Sequence, residues 1–430
     1  MQDRVTLEHS RAVWSGHVAL AWGATMLATE LKVSVPYVHW IVSGVALVLT
    51  LPCLLSIRGK VTFPARTPAW LFVVAVCVPA FYGDKIVYSF AEAGKLAIIL
   101  LGAMSILVAR TDLAHYAFRG FVSVVCLNCL FLVGGLLGLA SASEMALNRW
   151  GTILSWPGSL WRVALTVWVF AAYLLVKCRS VISLALLAIS TVLVFVDGTR
   201  TGVLLLFVAA VYLIVILAME TRRLTRAAFV AVMGLGVVLT GVAYSGIFSG
   251  ESPVEGNGAA ERIGKLVSSI EYGGLEGLGA ADLIRFQMLQ DVADAIRAHP
   301  VLGTGIESTV TETIVGPMGI HMTYLQVWSD LGLLGFVTYI WLVWGWIPWV
   351  PRVLRRVQAL ADPVQRAVHY NALYMLFFFA LAGFFHPLST EWSEWVIFIV
   401  AYALVWEVAR SRKGTTSADA NLQVTTTTSG

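Results

Sequence analysis

Three side chains in this 430-residue sequence stand where an ionisable group is costly, and their types suggest a shared chemistry. Arg200 lies in the turn Asp197-Gly198-Thr199-Arg200-Thr201-Gly202, between two apolar runs. Arg285 lies in the stretch Ala281 to Ala298, which has a helical period. With Leu283 at the origin and about 100° per residue, Gln287, Gln290, Asp291, Asp294, Arg297 and Ala298 share one arc, and Ile284, Phe286, Met288, Leu289, Val292, Ala293, Ala295 and Ile296 the other. Arg285 falls in the middle of the apolar arc, where a cation is expensive unless something anionic meets it. His321 opens the run His321-Met-Thr-Tyr-Leu-Gln326-Val-Trp-Ser-Asp330-Leu-Gly332 at the edge of another apolar stretch, with Gln326 and Asp330 one helical turn apart.

Guanidinium groups grip phosphate oxygens bidentately and stay charged. A pyrophosphate leaving group needs charge neutralisation and no proton, so arginine can replace both a general acid and a metal. The positive end of a helix dipole disfavours imidazolium, which leaves His321 neutral and able to deprotonate an attacking hydroxyl. Together these groups suit glycosyl transfer from a lipid-pyrophosphate donor. Competing readings are an internal salt bridge or headgroup snorkelling for Arg285, interfacial anchoring for Arg200, and a structural role for His321. Lys85, in Gly83-Asp84-Lys85, is a further candidate for substrate binding, with an ion pair to Asp84 as its alternative. No Asp-x-Asp pair, Walker loop or Gly-x-Gly-x-x-Gly occurs, so neither a metal nor a nucleotide cofactor is expected.

The elements that position these residues must be membrane spans. Hydrophobic residues make up 58% of the chain and charged residues 13%, against about 25% charged in soluble domains. So few charges cannot cover a soluble surface. The composition also excludes a disordered chain, a disulfide scaffold and a basic nucleic-acid binder. Twelve apolar runs of spanning character lie near 12–29, 35–55, 68–82, 94–110, 119–142, 160–177, 180–196, 203–219, 227–248, 323–350, 367–385 and 392–409. With the N-terminus inside, 19 of the 29 basic residues fall on inside connections. That asymmetry puts both termini in the cytoplasm. The first run has no small-residue cleavage site, so no cleavable signal peptide is expected. Cys126-Leu-Asn-Cys129 has metal-type spacing without a second pair, and packing is its expected role.

The division that follows is 1–248 for spans one to nine, 249–322 for an outside loop with an amphipathic helix, 323–409 for the last three spans, and 410–430 for a polar, disordered tail. The single long loop is where function should concentrate.

The turn Gly-Thr-Arg200-Thr-Gly, the run His299-Pro-Val-Leu-Gly-Thr-Gly305 and the pattern His321-x-x-x-Leu325-Gln326-x-Trp328-x-x-x-Gly332-x-x-Gly335 resemble the O-antigen ligase/polymerase superfamily. The likeness in layout runs along nearly the whole chain, and the ligase branch fits it best. Asp330 departs from the pattern, since many members carry Glu there. The resemblance implies an all-α polytopic membrane protein of about twelve transmembrane helices with one large helical periplasmic loop, GT-C-like among glycosyltransferases. It implies en bloc transfer of an undecaprenyl-pyrophosphate-linked O-antigen onto lipid A–core oligosaccharide at the periplasmic face of the bacterial inner membrane, without metal and with inversion. It also implies that Arg200 and Arg285 bind the pyrophosphate and that His321 is the base. The alternatives are a polysaccharide polymerase or an O-linked protein oligosaccharyltransferase. From another class, a lipid-linked sugar flippase or transporter would put its ionisable groups near the midplane in repeated halves.

Overall fold

The computed structural model describes residues 2–28, 41, 44–45, 48, 61–81, 86–138, 143–145, 149–221, 283–313, 316–387 and 392–411. Over these residues the chain is almost entirely helical. Helix α1 covers Gln2–Leu27, α2 Arg66–Cys77, α3 Ile86–Ala109 with a π turn at Ile98–Ala103, and α4 Thr111–Leu136. A small hairpin of β1 (Ser143–Met145) and β2 (Arg149–Gly151) leads to α5 (Leu160–Cys178), α6 (Val181–Asp197) and α7 (Arg200–Thr221). Helix α8 covers Leu283–Ala298, and β3 (Val310–Thr313) then pairs antiparallel with β4 (Gly316–Gly319), Val310 opposite Gly319. The chain closes with α9 (Thr323–Trp344), α10 (Val350–Gln358), α11 (Pro363–Ala382) and α12 (Trp392–Arg410).

Among the described residues six stretches are long and apolar enough to cross a membrane: Ile86–Ala109, Thr111–Leu136, Leu160–Cys178, Arg200–Glu220, Thr323–Gln358 and Trp392–Arg410. Helices α2 and α6 are apolar but shorter. The protein is therefore an all-α, multi-pass membrane protein. The expected spans at 35–55 and 227–248 lie largely or wholly outside the described residues, as do Lys85 and the loop from 249 to 282.

Local chemistry sets several boundaries. Asp362 caps α11 by accepting from the Val364 N–H at 2.9 Å, with Pro363 at the first helical position, where its missing N–H costs nothing. Gly198 closes α6 in the left-handed region at φ 68°. Helix α5 packs against α6, α7 and α11, with Trp161, Tyr173 and Tyr370 fully buried. Its interior polar groups find partners inside the protein, as a lipid surround requires. Asn371 of α11 donates to the Thr166 carbonyl at 2.6 Å and accepts from the Phe170 N–H at 3.0 Å.

The helix ends sort into two groups. At one end Glu220 accepts from the Tyr173 and Tyr370 hydroxyls at 2.8 and 2.9 Å and pairs with Lys177 at 2.6 Å and Arg366 at 3.6 Å. There too Arg356 donates to the carbonyls of Val408 and Ala409, and Arg410 to that of Val108. The opposite end gathers the N-termini of α3, α5, α7, α9 and α12, and Arg200 and His321 belong to it.

Candidate functional site

Asp197 fixes the Arg200 turn. Its buried carboxylate accepts from the backbone N–H groups of Gly158 at 3.1 Å and Trp161 at 3.2 Å, and from the Thr199 hydroxyl. A carboxylate at the N-terminus of α5 is favoured by the exposed N–H groups and the helix dipole. The turn is thereby fastened to α5, and Gly202 presses against Trp161: a Cβ on Gly202 would sit 2.7 Å from the Trp161 Cβ. Arg200 is the first residue of α7, half-buried, with its Nε buried. A guanidinium at the positive end of its own helix is a poor partner for the dipole and a good one for an anion.

From Trp161 the contacts run on toward His321. The Trp161 ring stacks on that of His386 with centroids 5.2 Å apart and planes 28° from parallel. The His386 carbonyl accepts from both the backbone N–H and the hydroxyl of Thr323 at 2.8 Å, and the Gly383 carbonyl also accepts from the Thr323 N–H. Thr323 starts α9, and His321 lies two residues before it, half-buried. An unbroken set of contacts, Gly202 to Trp161 to His386 to Thr323, thus joins the Arg200 turn to the His321 segment. Beside it lies a cavity of about 450 Å³ including its open mouth, lined by Arg162, Thr323, Tyr339, His386, Glu394 and Trp395. Neither Arg200 nor His321 lines it. Arg162 and Glu394 form an ion pair across it.

The third candidate approaches through α8. Met288 and Val292 of α8 are buried against Ile320, with Ile296, Met322 and Leu325 packed around them. Position 285 shares the helical face of Met288, Val292 and Ile296 by its spacing. The face that carries position 285 is therefore the one laid on the residues flanking His321. The Arg285 side chain, like all of Lys85, lies outside what the structure describes. Lys85 directly precedes α3, whose Tyr88 hydroxyl donates to Glu307 at 2.5 Å. The rest of the apolar arc expected for α8 is different: Ile284, Phe286 and Leu289 are exposed.

What holds α8 against α9 is a strap, residues 299–309, docked on a break in α9. At Gly332 the backbone leaves the helix, with φ 66° and ψ −168°. The carbonyls freed at Ser329 and Asp330 accept from the N–H groups of Thr304 at 2.9 Å and Gly305 at 2.8 Å, while the Leu333 N–H donates to Val301 at 3.1 Å. The Trp328 indole donates to the Pro300 carbonyl at 3.1 Å. The buried Asp330 carboxylate accepts from the N–H groups of Glu307 at 2.9 Å and Thr309 at 3.2 Å and from the Gln326 amide at 3.3 Å. The two glycine-bearing motifs read separately in the sequence are one structural unit.

Sequence reasoning missed four parts of this end: the anchoring role of Asp197, the Trp161–His386 stack, the Arg162–Glu394 pair and the break at Gly332. Only the opposite charges of Arg162 and Glu394, each near the start of an apolar run, gave a signal.

Residues 185–340 match the family model described as Wzy_C: O-Antigen ligase. No curated protein matches the chain. The matched range runs from within α6 through most of α9, and it contains Arg200, Arg285, His321, the strap and the break.

Proposed function

We propose that this chain, which residues 185–340 place in the O-antigen ligase superfamily, transfers a polysaccharide en bloc from undecaprenyl pyrophosphate to lipid A–core oligosaccharide at the periplasmic face of the inner membrane. His321 takes the proton from the acceptor hydroxyl as that oxygen bonds to the anomeric carbon of the donor. The bond from that carbon to the pyrophosphate breaks, and its electron pair leaves on the phosphate oxygen. Arg200 and Arg285 hold the departing diphosphate, with Lys85 as an accessory cation, so the step asks for no metal. Attack opposite the leaving group inverts the anomeric centre.

One observation carries this reading. The contacts from Gly202 through Trp161 and His386 to Thr323 hold the Arg200 turn and the His321 segment at the same end of the bundle, and α8 lays the face of position 285 on that segment. The test is His321→Ala in purified protein with a lipid-pyrophosphate donor. Transfer should fall by about 10²–10⁴-fold, the range for losing a general base, while donor binding survives. Near-normal turnover would remove His321 from the chemistry. Cells lacking the protein separate the acceptors: complete loss of O-antigen marks a ligase, a single repeat on the core marks a polymerase, and unchanged lipopolysaccharide refutes both.

A further inference from the structure

At the end of the bundle away from the Arg200 turn, three helices bring His115 of α4, His369 of α11 and Glu407 of α12 together. Each offers one ligand atom, and these atoms all lie within 4.8 Å of one another. His115 Nε2 is 2.9 Å from Glu407 Oε2, and the two imidazoles meet edge to face with centroids 5.6 Å apart. His369 is only 4% exposed, and its Nδ1 is buried without a hydrogen-bond partner. The side chains of His115 and Glu407 keep 21% and 34% of their exposure, which leaves a route in from outside. Between Glu394 at the cavity and Glu407, α12 rises about 20 Å at ~1.5 Å per residue.

An ion pair explains only part of this cluster. His115 and Glu407 satisfy each other, and His369 adds a second imidazole whose buried Nδ1 has no hydrogen-bond partner, which is costly. Two imidazoles and a carboxylate are a zinc ligand set, whereas Mg²⁺ and Ca²⁺ favour oxygen ligands. Bonds of about 2.0–2.2 Å on a tetrahedral ion place neighbouring ligand atoms roughly 3.3 Å apart. The His115–Glu407 pair is slightly closer than that, and side-chain rotations on the order of 1 Å would bring in the third ligand.

We propose that His115, His369 and Glu407 form a zinc-type divalent metal site, completed by water, that ties α4, α11 and α12 together remote from the transfer site. Metal binding takes the place of the His115–Glu407 hydrogen bond. The site is independent of the transfer reaction, so either reading can fail without the other.

The test uses the untagged full-length protein in detergent, dialysed against metal-free buffer. Elemental analysis should find zinc equimolar with the chain. The thermal midpoint of metal-stripped protein should rise with added Zn²⁺ and not with Mg²⁺. Glu407→Gln and His369→Gln, checked for folding by gel filtration and circular dichroism, should lose both the zinc and the rise. Replacing zinc by Co²⁺ in the wild type should give the visible absorption of a tetrahedral ion, a readout that needs no variant. Wild-type protein without zinc above the buffer blank and without a Zn²⁺-dependent shift overturns the proposal. Equimolar zinc retained by both variants overturns it as well, since the ion then sits elsewhere.

Discussion

Replacing Gly332 with alanine should loosen the strap while leaving the spans intact. At φ 66° and ψ −168° the residue occupies a region open essentially to glycine, and forcing another residue there costs about 1–3 kcal/mol. The added Cβ would also lie 2.1 Å from the Val301 carbonyl oxygen, which is the acceptor for the Leu333 N–H. Relieving that clash moves Val301 away and gives up a hydrogen bond worth about 1 kcal/mol net. The strap's docking should therefore weaken by roughly 2–4 kcal/mol, a factor on the order of 30 to 1,000 at 1.4 kcal/mol per tenfold. Hydrogen exchange reports this directly. The Thr304 and Gly305 amides, bonded to the Ser329 and Asp330 carbonyls, should lose protection by that factor while the α5 amides are unchanged. Transfer should fall because α8 is no longer held against the His321 segment. Gly319→Ala is the control, since a Cβ there meets nothing within 4 Å. Unchanged exchange at Thr304 and Gly305 in Gly332→Ala would refute the claim that the break depends on the strap.

Asp197→Asn removes the charge and puts donors where an acceptor is needed. It should cost about 2–4 kcal/mol, because the N–H groups of Gly158 and Trp161 at the start of α5 lose a charged partner, and the thermal midpoint in detergent reports the loss. Arg200→Lys and Arg285→Lys should each transfer poorly, because lysine is a point charge without the guanidinium fork; full activity in either variant argues against bidentate phosphate contact there. Transfer should continue in excess EDTA at temperatures where the protein stays folded, even as the thermal midpoint drops. Loss of transfer with rescue by Mg²⁺ would put a metal in the reaction.

Features set by neighbouring residues in the chain were legible in the sequence, and features set by distant partners were not. The amphipathic period forecast a helix over 281–298, and α8 covers Leu283–Ala298, stopping at His299-Pro300 as expected. The turn at 197–202 was marked by its glycines. Gly332 was different: a lone glycine in an apolar run usually costs a helix only ~1 kcal/mol, so nothing local announces a break. The break holds because Thr304 and Gly305 arrive from the strap to bond the freed carbonyls. Asp197 read as a turn residue because its main partners, the N–H groups of Gly158 and Trp161, lie at the start of another helix. Arg162 and Glu394 are far apart in the chain, and only the packing of both α5 and α12 against α11 makes them a pair. The even exposure of Ile284, Phe286 and Leu289 shows the same limit. Periodicity marks which side of α8 is apolar, and the tertiary partner decides which strip of it is covered.

The location of the candidate site follows from how helix dipoles are compensated at this end. Helices α5, α7, α9 and α12 point their N-termini here, and so does α3, whose Tyr88 meets Glu307 of the strap. Two are met by protein carboxylates, α5 by Asp197 reaching across and α12 by Glu394 in its own first turn. The first turns of α7 and α9 hold no acidic residue. In their place stand Arg200 at the start of α7 and His321 just ahead of α9. An anion brought between them meets two sets of helix N–H groups and a guanidinium together, each worth more in a lipid-bounded setting than in water. Adding a carboxylate to either first turn would satisfy the helix and weaken the site, which is a physical reason for these two helices, and not α5 or α12, to go without one.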